Sequence, residues 1–291
     1  MPQNTKTAAE IIGKVFPCLD HGFVRLVDYM GSDEAVVQAA RVSYGEGTKK
    51  LREDRGLIRY LMRHQHTTPF EMVEYKFHCK MPIFVARQWI RHRTASVNEY
   101  SLRYSKAINE FYLPESETLN LQSAANKQGR STEAVDVELQ KQILEIIKAG
   151  TDQAWQDYEK LEATGLSREL ARINLPLSLY TEWYWKIDLH NLLHFLKLRL
   201  DEHAQYEIRV YAQAIAEIIK IVTPIVWEAF EDYILKAQTF SKDELILLAQ
   251  MLKFTPESTE PLPVFEDSGL SKREVEEFIE KLNSMKRLRD H

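Results

Sequence analysis

The chain has 291 residues, 44% hydrophobic and 28% charged, which suffices for one large or two small soluble domains with an ample core. Its formal net charge of -5 argues against a general nucleic-acid binder, which carries a basic surplus, yet leaves room for a local basic pocket that steers a small anion inward. The two cysteines, Cys18 and Cys79, fall in no metal-ligand spacing and support no disulfide framework, so a reducing cytoplasm is the expected compartment.

In chain order, the opening "MPQNTKTAAEIIGKVF" has no continuous apolar core, so no secretory leader is expected, and no later stretch is long and apolar enough to span a bilayer. "FVRLVDYMG" reads as a strand ended by Gly31, with Ser32 capping a helix over "DEAVVQAARVSY". "REDRGLIRYLMRHQ" is a second helix. After Pro69, Val73, Tyr75, Phe77 and Cys79 alternate with Met72, Glu74 and Lys76, which predicts a strand with one wet face. Pro82 opens a helix over "PIFVARQWIRH". A polar, insertion-like segment follows Pro114, and Ser131 or Thr132 is the expected cap of a long helix stopped by Gly165. "SRELARINLP" predicts a short helix and "LYTEWYWKI" a strand. Residues 188–222 predict one long helix or two abutting ones, and "PIVWEAFEDYILK" another. The expected fold class is α/β (α+β): a helix-rich domain with a mixed or antiparallel sheet flanked by helices, without a Rossmann fold. A catalytic domain over 1–237 is expected, followed over 238–291 by a Pro- and Glu-rich linker, "PESTEPLP", and a charged helix capped by Ser271.

Chemistry concentrates in "RHRTASVNEYSLRYS", residues 91–105. Arg91, Arg93 and Arg103 repel one another unless an anion sits between them, and guanidinium forks match phosphate oxygens bidentately. The alternative is a surface patch of ion pairs. His190, His194 and Lys197 share a helical face, readable as donors for an anionic cofactor, as histidines bonded within a helix bundle or as metal ligands; no Glu sits inside the His pair as a zinc-protease motif requires. His64, His66, Thr67, Thr68 and Glu71 surround Pro69, either as turn chemistry or as donors to a diphosphate. No glycine-rich phosphate loop and no nucleophile elbow is present. A nucleotide or RNA binder, a metal hydrolase and an enzyme with a nucleophilic thiol therefore stay open beside an enzyme that holds an anionic cofactor.

Arg91-His92-Arg93, seven residues and Ser101 resemble the signature of the flavin-dependent thymidylate synthases. The resemblance extends over "AARVSY", "HQHTTPFE", "NEYSLRYS", "ARINLPLSLYTEW" and "LRLDEHAQYEIR", from about Phe23 to about Ala237. It implies reductive methylation of dUMP to dTMP with 5,10-methylenetetrahydrofolate as carbon donor, FAD as electron carrier and NADPH as reductant. It also implies a homotetramer with active sites shared between subunits; on charge, hydropathy and ligand spacing, no nucleic acid, no membrane and no metal is expected. Carried over by position, Thr68, Arg91, His92, Arg93, Glu99, Asp188, His190 and His194 would hold FAD. Gln88, Arg91, Glu99, Ser101, Leu102, Arg103, Arg172 and Arg199 would hold dUMP, with Arg199 catalytic at the uracil edge. Where the family often shows Asn-x-Arg, this chain has Asp188-Leu189-His190.

Overall fold

The structure, a computed structural model, describes residues 7–42, 51–122, 130–251 and 269–289. It divides into two compact units, Met1–Lys236 and Ala237–His291. In the first, chain order runs α1 (Ala8–Ile11), β1 (Val15–Cys18), β2 (Gly22–Met30), α2 (Asp33–Arg41), α3 (Leu51–Arg63), α4 (Thr68–Glu71), β3 (Glu74–Pro82), α5 (Ile83–Trp89) and β4 (Ser96–Glu99). It continues through β5 (Asn120–Gln122), β6 (Arg130–Ala134), α6 (Val137–Ala163), α7 (Arg168–Ala171), β7 (Tyr180–Asp188), α8 (Leu189–Arg199), α9 (Tyr206–Val222) and α10 (Pro224–Phe230). The second unit holds α11 (Lys242–Met251) and α12 (Lys272–Arg289). The fold is α+β, as the sequence predicts.

Five strands form one sheet in the order β1-β2-β3-β7-β4, antiparallel throughout. Alternation drives it. Tyr75, Phe77, Cys79 and Met81 of β3 are buried on one face, beside Trp183, Trp185 and Ile187 of β7 and Val24 and Leu26 of β2. That face is covered by α5, α8 and α9, the last burying Ile208, Tyr211, Ala212, Ile215 and Ile219 at helical spacing. The other face is polar: His78 lies 2.5 Å from Arg25 and 2.8 Å from Glu182. Gly31 ends β2 in the left-handed region at φ +86, and the Ser32 hydroxyl accepts from the Glu34 N–H at 3.2 Å to cap α2. Asp33 is buried and accepts the Ile225 and Val226 N–H groups at 2.9 Å each, tying α2 to the first turn of α10.

Several expectations change. Arg91–Ser105 contains β4, a four-residue strand at the sheet edge that the sequence did not suggest. Ser131 and Thr132 lie in β6, which pairs with β5 in a small hairpin, and the cap of α6 is Asp136, accepting from Glu138 and Leu139 at 2.9 and 3.1 Å. The stop at Gly165, φ +81, is as expected. Residues 188–222 form two helices, α8 and α9, and α10 runs into a π turn at Glu231–Leu235. β1 was not foreseen. The end of "DEAVVQAARVSY" beyond Val42 and all of "PESTEPLP" lie outside the described residues. In the second unit, Ser271 caps α12 within a capping box, Glu274 Oε2 accepting from Ser271 N at 2.8 Å. Among the described residues no helix is long and apolar enough to cross a membrane.

Candidate functional site

The site grows from the junction of α5 with the sheet. Trp89, the last residue of α5, is fully buried, its ring 5.1 Å from those of Trp185 and Phe195 and 5.5 Å from that of Trp183. This anchor fixes where the helix stops, and Arg91, His92 and Arg93 leave its end before the chain enters β4. On the facing side, Asp188 caps α8: its carboxylate accepts the Asn191 N–H at 2.9 Å and the Asn191 side-chain amide at 2.8 Å. Burial of Leu189, Leu192, Leu193, Phe195 and Leu196 turns His190, Asn191, His194, Lys197 and Arg199 away from the core.

Two cavities result, and His194 lines both. One, of about 330 Å³, is bordered by Arg91, His92, Arg93, Asn191, His194 and Arg199. The other, of about 310 Å³, is bordered on its polar side by Gln65, His66, Thr67, His190, His194 and Lys197. The turn that delivers His66 and Thr67 is a Schellman motif closing α3, with His66 N donating to Leu61 O at 2.9 Å and Gln65 N to Met62 O at 3.1 Å. Gln65 holds its left-handed position at φ 56, where glycine is usual.

Inside the first cavity, Arg199 Nε donates to His92 Nε2 at 3.1 Å, and the His92 ring meets Phe195 edge-on at 4.9 Å. Burial first, then the charge of Arg199 and the nearby His194, push His92 down to about 4. It is therefore neutral and accepting at working pH. Burial also draws Arg199 below its ordinary value, but a guanidinium stays charged at any such pH. Because the folded protein disfavours protonated His92, stability from this group is complete above about 6.5 and is lost as pH falls toward about 4. An NMR titration of His92 is expected to show a midpoint near 4 that rises in Arg199→Ala. A midpoint unmoved by that substitution would remove Arg199 from the causes of the shift.

The structure thus brings Arg91, His92, Arg93, His194 and Arg199 together, with His190 in the adjoining cavity. Thr68 begins α4, one residue beyond the lining Thr67. The other expected residues do not line these two cavities. Gln88 donates through its amide to Gln205, and Glu99, on β4, accepts from the Thr181 hydroxyl at 2.7 Å. Ser101 Oγ accepts from Arg103 N at 3.3 Å, and Leu102 packs with a smaller apolar cluster that includes Ala171. The Arg103 guanidinium pairs with Glu169 of α7 at 3.2 Å, and the next turn, Arg172–Asn174, carries half-buried Arg172. Sequence reasoning missed Asn191 and Gln65, single polar residues with no pattern to mark them.

Both cysteines are buried; burial pushes the Cys18 thiol up to about 12 and the Cys79 thiol well above its ordinary value. Among the described residues no group of three His, Cys, Asp or Glu side chains is placed to hold a metal.

A double cavity lined by Arg91, Arg93, Arg199 and Lys197 on an α+β scaffold has the charge that suits anionic ligands. A family model described as thymidylate synthase complementing protein matches residues 25–225. The chain is 59% identical over 266 residues to a flavin-dependent thymidylate synthase of Gluconobacter oxydans, covering 90% of this chain and 86% of that one. It is 53% identical over 285 residues to that of Rickettsia conorii, covering 93% and 94%. Among solved structures it resembles the UMP/dUMP methylase PolB from Streptomyces cacaoi bound with 5-Br dUMP, with a TM-score of 0.69 and 32% identity over 76% of this chain and 99% of that one. The chain belongs to the flavin-dependent thymidylate synthase family.

Proposed function

We propose that this enzyme methylates dUMP reductively to dTMP in the cytoplasm, with 5,10-methylenetetrahydrofolate as carbon donor, FAD as electron carrier and NADPH as reductant. The observation that carries the reading is Arg199, held by neutral His92 in a cleft it shares with Arg91 and Arg93. FAD, when bound, supplies the reducing equivalents received from NADPH. The residues present suit it: two guanidiniums for a diphosphate, with His190, His194 and Lys197 as further donors next door. Thr68 and Glu99 complete that set, and Asp188 contributes by fixing the turn that carries His190.

The nucleotide falls to Gln88, Arg91, Glu99, Ser101, Leu102, Arg103, Arg172 and Arg199. Uracil C5 becomes nucleophilic only if negative charge gathers on O4 and N3. The Arg199 guanidinium is positioned to stabilise that charge in a partly desolvated site. Burial of both thiols supports a route in which no enzyme cysteine attacks C6. Cys18→Ser and Cys79→Ser are expected to keep kcat in whatever fraction folds; loss of turnover in well-folded protein would restore the thiol route.

Each cavity taken alone lies near the lower end of the range for small-molecule sites, about 300–1,000 Å³, so a dinucleotide would need both. With six nucleotide ligands outside both cavities, this supports active sites completed between subunits of a homotetramer. The catalytic domain is assigned to 1–237, with 238–291 as an appendage. The test is the visible spectrum of the purified protein under anaerobic NADPH, before and after dUMP. A flavin band that bleaches at a rate altered by dUMP is expected. No flavin after incubation with FAD would leave an anion-binding module without redox chemistry.

A further inference from the structure

A buried carboxylate outside the two cavities is linked by hydrogen bonds to one of the proposed nucleotide ligands. Glu207, in the first turn of α9, is 1% exposed. Its Oε1 accepts from the Tyr112 hydroxyl at 3.1 Å and from the guanidinium of Arg130, at the start of β6. Its Oε2 accepts from Gln205 Nε2 at 2.9 Å. Gln205 Oε1 in turn accepts from Gln88 Nε2. Arg130 is steadied by a second bond, Nη1 to Thr118 O at 3.0 Å.

The direction of this chain follows from its first member. A carboxylate paired with an arginine has only acceptor sites. Gln205 must therefore turn its NH2 toward Glu207, which leaves its oxygen facing Gln88. Gln88 must then turn its NH2 toward Gln205, spending one of its two N–H donors there, and this sets its Oε1, an acceptor only, on the other branch of the amide. An unconstrained glutamine could exchange the two ends by a flip of its amide.

We infer that the Glu207–Arg130 pair is a positioning device that fixes the hydrogen-bond polarity of Gln88, so that Gln88 accepts a hydrogen bond from a donor of the bound nucleotide. The inference rests on the reading of Gln88 as a dUMP ligand. Two donors of dUMP have this chemistry, the uracil N3–H and the 3′-hydroxyl. Strand β6, in the polar segment that follows Pro114, thereby acquires a role: it delivers Arg130.

The test measures binding of dUMP, N3-methyl-dUMP and 2′,3′-dideoxy-UMP to the FAD-loaded enzyme by the change in flavin absorbance. One analogue is expected to bind about five- to tenfold more weakly than dUMP, the loss of one hydrogen bond, and which one it is identifies the donor. In Gln205→Leu, which leaves Glu207 Oε1 its bonds from Arg130 and Tyr112 but takes the Gln205 donor from Oε2, that discrimination is expected to shrink while FAD affinity holds. Gln205→Ala serves if the leucine variant folds poorly. Unchanged discrimination in the Gln205 variants, with dUMP binding weakened in Gln88→Leu, overturns the relay alone. Unchanged dUMP binding in Gln88→Leu removes Gln88 from the nucleotide site and the inference with it. Equal binding of all three nucleotides by the unsubstituted enzyme also overturns it.

Discussion

Arg199→Ala is expected to lower the rate of methylation by about a hundred- to a thousandfold, the effect of removing one preorganised donor from a site of developing charge. Flavin binding is expected to change little, because Arg91, Arg93 and the donors around His190 remain. Single-turnover methylation beside a flavin titration separates the two. Arg199→Lys is not expected to rescue the rate. The guanidinium uses Nε to bond His92 and keeps its two terminal nitrogens for the cleft, and an ammonium cannot do both. Loss of flavin as the dominant effect of Arg199→Ala would assign this residue to the cofactor instead.

Trp89→Ala is expected to cost about 3–5 kcal/mol of stability, the range for emptying a large aromatic from a packed core. Its ring stacks on Phe195 at 5.1 Å and meets Tyr211 at 5.7 Å, so the cavity would open beneath both α5 and α8. These are the helices that present the arginine cluster and Arg199. Ligand affinity should therefore fall along with the denaturation midpoint. Trp89→Phe is expected to cost far less, about 1.5 kcal/mol or below as a shape change that retains an aromatic. The indole N–H has no hydrogen-bond partner to lose. Equal midpoints for the alanine variant and the unsubstituted protein would mean that the anchor is not where the energy lies.

Sequence revealed those parts of the fold whose side chains alternate between core and water. β3 was legible because Tyr75, Phe77 and Cys79 are buried between wet neighbours, and β7 because its aromatics mark it. β4 was not, since all four of its residues are exposed and no apolar period exists to read. Ser131 seemed a good cap in isolation, but pairing with β5 holds it in a strand and moves the helix start to Asp136. In the site, Arg91, Arg93 and Arg199 were legible by charge and by family resemblance, whereas the bond from Arg199 to His92 spans 107 positions and leaves no local trace. Glu207 was hidden for a related reason. It looks like an ordinary first-turn acid, and only the tertiary structure buries it against Arg130 and Tyr112.

The place of β4 at the sheet edge gives the spacing of the arginine signature a mechanical meaning. Ser96 stands opposite Lys186 and Glu99 opposite Trp183. Arg91–Arg93 therefore sit toward the end of β7 where α8 begins, and Ser101–Arg103 toward its start. The strand between them acts as a ruler about 13 Å long, at 3.3 Å per residue. Changing its side chains leaves the ruler intact. Adding or removing one residue would shift Arg91–Arg93 against Ser101–Arg103 and turn every following side chain to the opposite face, carrying Glu99 away from Thr181. Glu99 apart, the seven residues between Arg93 and Ser101 are thus constrained in number more tightly than in kind.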